Sequence, residues 1–372
     1  MKKPPHGPSI YYATDKNVFD ALNQHRVDQA TIRQLFADRN VLVSKHTDKS
    51  ELAKYFSRLV HDYQDHQRIA TRLGVANRRE KVTAVEITTP LKVDQIETAI
   101  SSIKAELEKE GDVVLVTRDG DDISLIVQYS EVDYAKTEFK QVQHKDGVIQ
   151  FKKESDTYVV RSSQNEYVNK VREAVFSSVE KKNSIKLERR VVSLYDVVLP
   201  SLRSEFFYNL IHGIEGMGKH DVTELYVYRN TPEASDEDDE EELSDEDARN
   251  NEVQDSRIER IALRGKGVEQ SQELKDIISK SADFYTIRTV WKVREAMGEG
   301  HVFELDAHFA SARDCTGFSY LVRGVYPCED GVISKKRRSP RTDEVERLSS
   351  LIEKASKRCA EDIWTKSTTP KT

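Results

Sequence analysis

This chain of 372 residues lacks most of the features that place a protein quickly. It has three cysteines, Cys315, Cys328 and Cys359, odd in number and mostly far apart. That spacing excludes a disulfide framework and a C-x-x-C metal clip, leaving reduced, structural thiols as the expectation. No apolar run approaches the roughly 18 to 20 residues that a membrane helix needs, so no span is expected. The opening residues, MKKPPHGPSIYY, follow two lysines with prolines instead of an apolar core and do not read as a secretory signal. The expected location is therefore cytoplasmic, or nuclear in a eukaryotic cell. No internal repeat of fixed period is visible in the residues.

What the chain does have is charge. Charged residues make up 33% and hydrophobic residues 37%, the balance of a polar globular protein with room for two or three domains. The net charge of −7 is unevenly spread: Glu233 to Asp255 holds 13 acidic residues and one basic residue, Arg249. Its local charge is −12, so the rest of the chain carries −7 less −12, or +5. A mildly basic body permits polyanion binding. The acidic segment, residues 233–256, has no aromatic residue and reads as a disordered linker or insertion, unable to offset its own ordering entropy. Ser235 and Ser244 each precede Asp-Glu-Asp, a context for an acid-directed kinase.

Hydrophobic periodicity divides the remainder. Apolar residues at 32, 35 and 36, then at 52, 55, 56, 59 and 60, predict two helices joined by the extended stretch VLVSKHTDKS. Residues 81–232 alternate strand and helix patterns, with hairpin signals at Asp119-Gly120 and Asp146-Gly147 and a strand over IKLERRVVSL. Residues 257–372 repeat that mixture and end in a helix from about Asp343 to Ile363. The predicted fold class is α+β: a helical subdomain over 1–80, then mixed or antiparallel sheet units with helices packed on the sheet, over 81–232 and 257–372.

Several stretches bear on chemistry. GIEGMGKH (213–220) satisfies a phosphate-loop pattern except for His220, where a Ser or Thr hydroxyl belongs. A helix precedes it and a strand follows, the reverse of the required order, so its glycines are expected to stop a helix and turn the chain. Arg264-Gly-Lys-Gly267 has the better topology, a strand end followed by a predicted helix over 270–279, and offers Arg264 and Lys266 to an anion. On the strand HVFELDAHF, alternation puts Glu304, Asp306 and His308 on one face, expected to be solvated. Their spacing of about 7 Å in successive pairs is wide for one metal ion unless the strand bends. Past Val60, the pairs His61 with Asp65 and Asp62 with His66 share helix faces if the helix continues. Lys335-Lys-Arg-Arg-Ser-Pro-Arg341 is a compact basic cluster in which Lys335, Lys336, Arg337 and Arg338 are phosphate-contact candidates or part of a nuclear localisation signal.

The helix, extended loop, helix pattern at 31–60 resembles the SAP-like group of small DNA-binding modules. The resemblance covers about 30 residues and implies phosphate contacts from the loop and the start of the second helix. Lys45, His46, Lys49 and Lys54 occupy those places, and the loop lacks the small residues usual in such modules. The function expected is therefore a nucleic-acid-binding accessory or scaffold protein, non-catalytic, without a cofactor, and a protein-bound subunit of a larger assembly. The alternatives are a metal-dependent nuclease or hydrolase built on Glu304, Asp306 and His308 with a divalent metal, and a pure protein-interaction subunit.

Overall fold

The computed structural model describes residues 13–24, 27–62, 64–66, 69, 80–132, 139, 142–229, 260–271, 283–297 and 300–368. The acidic segment 233–256 and residues 272–279 of the predicted helix lie outside them. The architecture is α+β: short N-terminal helices, then a large antiparallel sheet with packed helices.

Three short helices come first: α1 (Asp15–Leu22), α2 (Gln29–Ala37) and α3 (Lys49–Ser57). The Asp28 carboxylate accepts the Thr31 amide at 2.7 Å and starts α2. Asn40, at φ 58°, ends it, with the Val41 amide returning to the Phe36 carbonyl at 2.9 Å. Val18, Leu22, Ile32, Leu35, Phe36, Leu52 and Phe56 meet in one apolar cluster. The helix expected to run past Val60 stops instead at Ser57, capped by Arg58. Asp62 and Asp65 then exchange side-chain to amide bonds and start a separate turn, so the proposed i, i+4 faces are not continuous with α3.

The sheet order is β2-β3-β4-β5-β1-β11-β10-β9-β7-β8, with β6 pairing β1 from off that path. The strands are β1 (Val82–Ile87), β2 (Val113–Asp119), β3 (Asp122–Val132), β4 (Val142–Glu154), β5 (Thr157–Ser163), β6 (Arg189–Arg190), β7 (Met217–Arg229), β8 (Arg260–Arg264), β9 (Phe284–Glu295), β10 (Val302–Ser311) and β11 (Thr316–Tyr326). The Asp119-Gly120 hairpin forms, with Gly120 at φ 60°. The one expected at Asp146-Gly147 does not: β4 runs straight through, and the chain turns at Ser155, φ 55°. Gly147 is buried within the strand. The strand expected over IKLERRVVSL shrinks to β6, because β11 already takes the other end of β1 at Val82 and leaves only Glu86 and Ile87 to pair.

Helices α4 (Val93–Lys109) and α5 (Glu166–Asn183) follow β1 and β5, while α6 (Pro200–His212) and α7 (Thr342–Thr368) follow β6 and the β12 (Cys328–Glu329) to β13 (Val332–Ile333) hairpin. Among the described residues the chain writes one element order twice. Strand, helix, four strands, helix reads β1, α4, β2 to β5, α5, and again β6, α6, β7, β9, β10, β11, α7, with β8 and the β12 to β13 hairpin inserted. From β1 outward the strands fall in descending order on one side, β5 to β2, and on the other from β11 to β7, with β8 added beyond β7. No residue-level period announces this duplication.

Two compact units result. One draws on the described residues before position 80 with 92–150 and 170–185; the other on 80–91, 151–169 and 186–368. In the second, α6 and α7 cover one sheet face. Leu348, Ile352, Ala355, Cys359 and Ile363 recur at helical spacing along α7 and join Phe206, Phe207 and Leu210 of α6 over Phe303, Leu305, Ala307 and Phe309 of β10. Ion pairs staple α7 to the strands: Arg161 of β5 meets Glu353 through two bonds of 2.8 Å, and Lys357 meets Glu86 at 2.7 Å.

Candidate functional site

In the first unit the loop joining α2 to α3 is held by side chains that reach its carbonyls. Arg33 donates to the oxygens of Ser44, at 3.3 Å, and Lys45, and Gln29 donates to that of Thr47. Lys49 reaches back to the Asn23 and Gln24 carbonyls at the end of α1. It therefore ties the loop down and is not the outward phosphate contact the sequence suggested. Lys45, His46 and Lys54 are exposed, with no side-chain partner among the described residues. Beside them Leu42 is 96% exposed. Below, Arg39 gathers the second set of sequence candidates: it pairs with Asp65 at 2.5 Å, bonds His61 Nδ1 at 2.9 Å and lies over Phe56. Burial, then the Arg39 charge, lowers the His61 pKa. The His61 ring is fixed between Arg39 and the Phe56 carbonyl, which explains it as a structural histidine.

In the second unit the sheet face opposite α6 and α7 carries Glu304, Asp306 and His308, as alternation requires. That face is not the solvated surface expected. Asp306 is 2% exposed, and both its oxygens accept from Arg288 of β9, at 3.1 and 2.8 Å. Burial opposes ionisation there, but the Arg288 hydrogen bonds prevail and hold the Asp306 carboxyl below its ordinary range. Partly buried His308 bonds the Ser319 hydroxyl at 2.8 Å; loss of hydration, aided by the nearby Lys81 charge, pushes its pKa down to about 3. Glu304 is bonded by Arg337. Arg337 reaches it by crossing Gly324, where a Cβ would stand 2.3 Å from the Arg337 Cδ.

Sequence reasoning missed the partners that make this face a network. Tyr226 of β7 donates to Glu224 at 2.9 Å and accepts from Arg264 at 2.8 Å, while Arg288 lies 4.7 Å from its ring centre. Arg323 also reaches Glu224, at 3.4 Å, and Lys292 lies over Tyr326. Of these side chains five are cations (Arg264, Arg288, Lys292, Arg323, Arg337) and three are carboxylates (Glu224, Glu304, Asp306). The available signal was the alternation of Arg288 and Lys292 with apolar residues on β9, the same pattern that pointed to Glu304 and Asp306.

The remaining stretches resolve locally. Arg264-Gly-Lys-Gly267 does end a strand, with Lys266 exposed, but the Gly267 amide donates to the Asp221 carboxylate at 2.9 Å and the Gly265 amide to the Thr223 carbonyl at 3.0 Å. The chain's own carboxylate takes the place of an anion, and only a single 3-10 turn, Val268–Gln270, follows among the described residues. GIEGMGKH is the helix-to-strand reversal expected: α6 ends at His212, Gly216 takes φ 71°, and β7 begins at Met217, taking in Lys219 and His220. In the basic cluster Arg338 pairs with Glu344 at 2.6 Å and Arg341 contacts the same carboxylate, whose pKa the Arg338 bonds pull down to about 2. Only Lys335 and Lys336 of the four candidates there stay outward and without a side-chain partner among the described residues.

Burial pushes the Cys315 thiol up to about 12 and that of Cys359 to about 11, so neither is a ready nucleophile. Among the described residues no three His, Cys, Asp or Glu side chains gather as metal ligands, and no helix is long and apolar enough to cross a membrane. No protein-family model matches the chain, and no curated protein matches it.

Proposed function

We propose that this protein binds nucleic acid without cleaving it, as an accessory or scaffold subunit, using the α2 to α3 loop as its phosphate contact. One observation carries the reading: Arg33, Gln29 and Lys49 pin the loop and its flanks by bonds to carbonyls, while the side chains of Lys45, His46 and Lys54 project with no partner among the described residues. A loop fixed before binding loses less entropy when it meets a phosphate backbone. Lysines held as point charges suit that backbone, and exposed Leu42 offers an apolar contact beside them. The resemblance of 31–60 to SAP-like modules supports the same assignment. Lys335 and Lys336 are a second cationic point.

The test is fluorescence anisotropy of the full chain with labelled duplex and single-stranded oligonucleotides across a salt series. The expected result is binding whose logarithmic salt slope falls by about one for each of Lys45→Glu and Lys54→Glu that removes a phosphate contact. Undetectable binding at low salt, or an unchanged slope in the double variant, overturns the reading.

A further inference from the structure

At one end of the sheet order lies β2, with β3 on one side and, among the described residues, no strand on the other. Its sequence, VVLVTRD, has no proline and no lysine, the devices that usually blunt an open strand edge. Val113 and Leu115, two positions apart and therefore on one face, are 63% and 55% exposed. The opposite face is spent: Val114 is buried, as are Ile123, Leu125 and Val127 of β3 and Ile96, Ile100 and Ile103 of α4. The outer edge thus combines a ladder position, an aliphatic stripe and a rigid backing.

Charge decides what fits it. Between positions 104 and 122, with the buried Asp112 set aside, there are six acidic residues, Glu106, Glu108, Glu110, Asp119, Asp121 and Asp122, and three basic ones, Lys104, Lys109 and Arg118, of which Lys104 pairs with Glu108 at 3.7 Å. Arg118 is already committed to Asp94 at 3.2 Å and Glu97 at 2.6 Å. Both ends of the strand are acidic, so a second copy of this chain would bring like charge against like charge, and a phosphate backbone would be repelled. We infer that the outer edge of β2 is a docking site for an extended, basic segment of a partner protein. The segment adds as a further strand, with aliphatic residues over Val113 and Leu115 and lysines or arginines toward the flanking carboxylates. The site is separate from the nucleic-acid contact and opposite to it in sign.

The probe is a labelled synthetic peptide, acetyl-Lys-Val-Lys-Val-Thr-Val-Lys-amide, titrated with the full chain by fluorescence anisotropy. Two peptides accompany it: one with glutamate for lysine, and one of the same charge with proline for the central valine. Saturable one-to-one binding is expected, weakened about tenfold by Leu115→Lys and by the proline, which removes a ladder donor, and lost with the glutamates. Leu115 is exposed, so the variant keeps its fold, and the proline peptide tests strand addition on the unaltered protein. Equal binding of the proline peptide, equal binding to Leu115→Lys, or no binding at all overturns the proposal. So does self-association that Leu115→Lys abolishes without peptide binding, which would assign the edge to a second copy.

Discussion

Removing the Asp306 carboxylate should expose how much of the second unit rests on its polar sheet face. The carboxylate is 2% exposed as a side chain and Arg288 is 9% exposed, so neither charge has water to fall back on. In Asp306→Ala the guanidinium loses both acceptors, at 3.1 and 2.8 Å, and keeps the Tyr226 ring at 4.7 Å and the nearby Glu224 charge, with which it has no hydrogen bond. Breaking a buried pair by deleting one partner costs about 3–5 kcal/mol, because an uncompensated charge stays behind. Replacing both, Arg288→Met with Asp306→Leu, removes the charges together and should come within about 1 kcal/mol of the parent. Urea unfolding followed by tryptophan fluorescence reads the effect directly. Both tryptophans, Trp291 and Trp364, lie in this unit, and Trp291 is buried three residues from Arg288. With a slope of about 2 kcal/mol per molar, the single variant should move the midpoint down by roughly 2 M. The sign with pH is fixed as well: the folded carboxyl is depressed, so the pair's contribution is complete above the unfolded aspartate value of about 3.9 and is lost as pH falls through the folded value. A midpoint shift under roughly 0.5 M for Asp306→Ala, or a double variant as unstable as the single, would refute the reasoning.

Three further outcomes are expected. His308, neutral in the folded state with its pKa down to about 3, should make stability fall as pH drops below the unfolded value of about 6.5, by up to about 1.4 kcal/mol per pH unit; His308→Gln should flatten that slope in urea midpoints between pH 7 and 5. Gly324→Ala should lift Arg337 off Glu304 and cost about 1–3 kcal/mol, read as a lower melting temperature, and the added substitution Arg337→Ala should recover most of the loss. Lys49→Ala should lower the stability of the helical unit by about 1 kcal/mol through its lost carbonyl bonds while leaving the nucleic-acid salt slope unchanged, unlike Lys45→Glu. A drop in that slope would return Lys49 to the phosphate-contact set.

Local physics made much of the fold readable. The valines at 168, 171, 175 and 179 could only line one side of a helix, and all are buried on α5. Alternation on β10 fixed which residues enter the helix-covered core, and Asp119-Gly120 fixed a hairpin, since only a short positive-φ turn joins such strands tightly. GIEGMGKH was readable for the same reason: a helix before and a strand after leave no N-terminal amides for a phosphate.

Pairing over long distances was not readable. Asp146-Gly147 carries a turn signal, yet the ladder holds β4 straight through it, because hydrogen bonds to neighbouring strands outweigh a local preference. The polar face of β10 looked solvated because Arg288 is 18 residues away and Arg337 is 33, and each arrives only when the sheet is assembled. Assembly likewise separated the cations that staple, Lys49, Arg337 and Arg338, from those that project, Lys45, Lys54, Lys335 and Lys336. The sequence by itself determined the fold class, the faces and the overall charge, since these follow from periodicity and composition. Only the tertiary structure decided the duplicated element order, the place of β2 at one end of the described sheet and the partners of the paired charges, since these depend on which distant strands become neighbours.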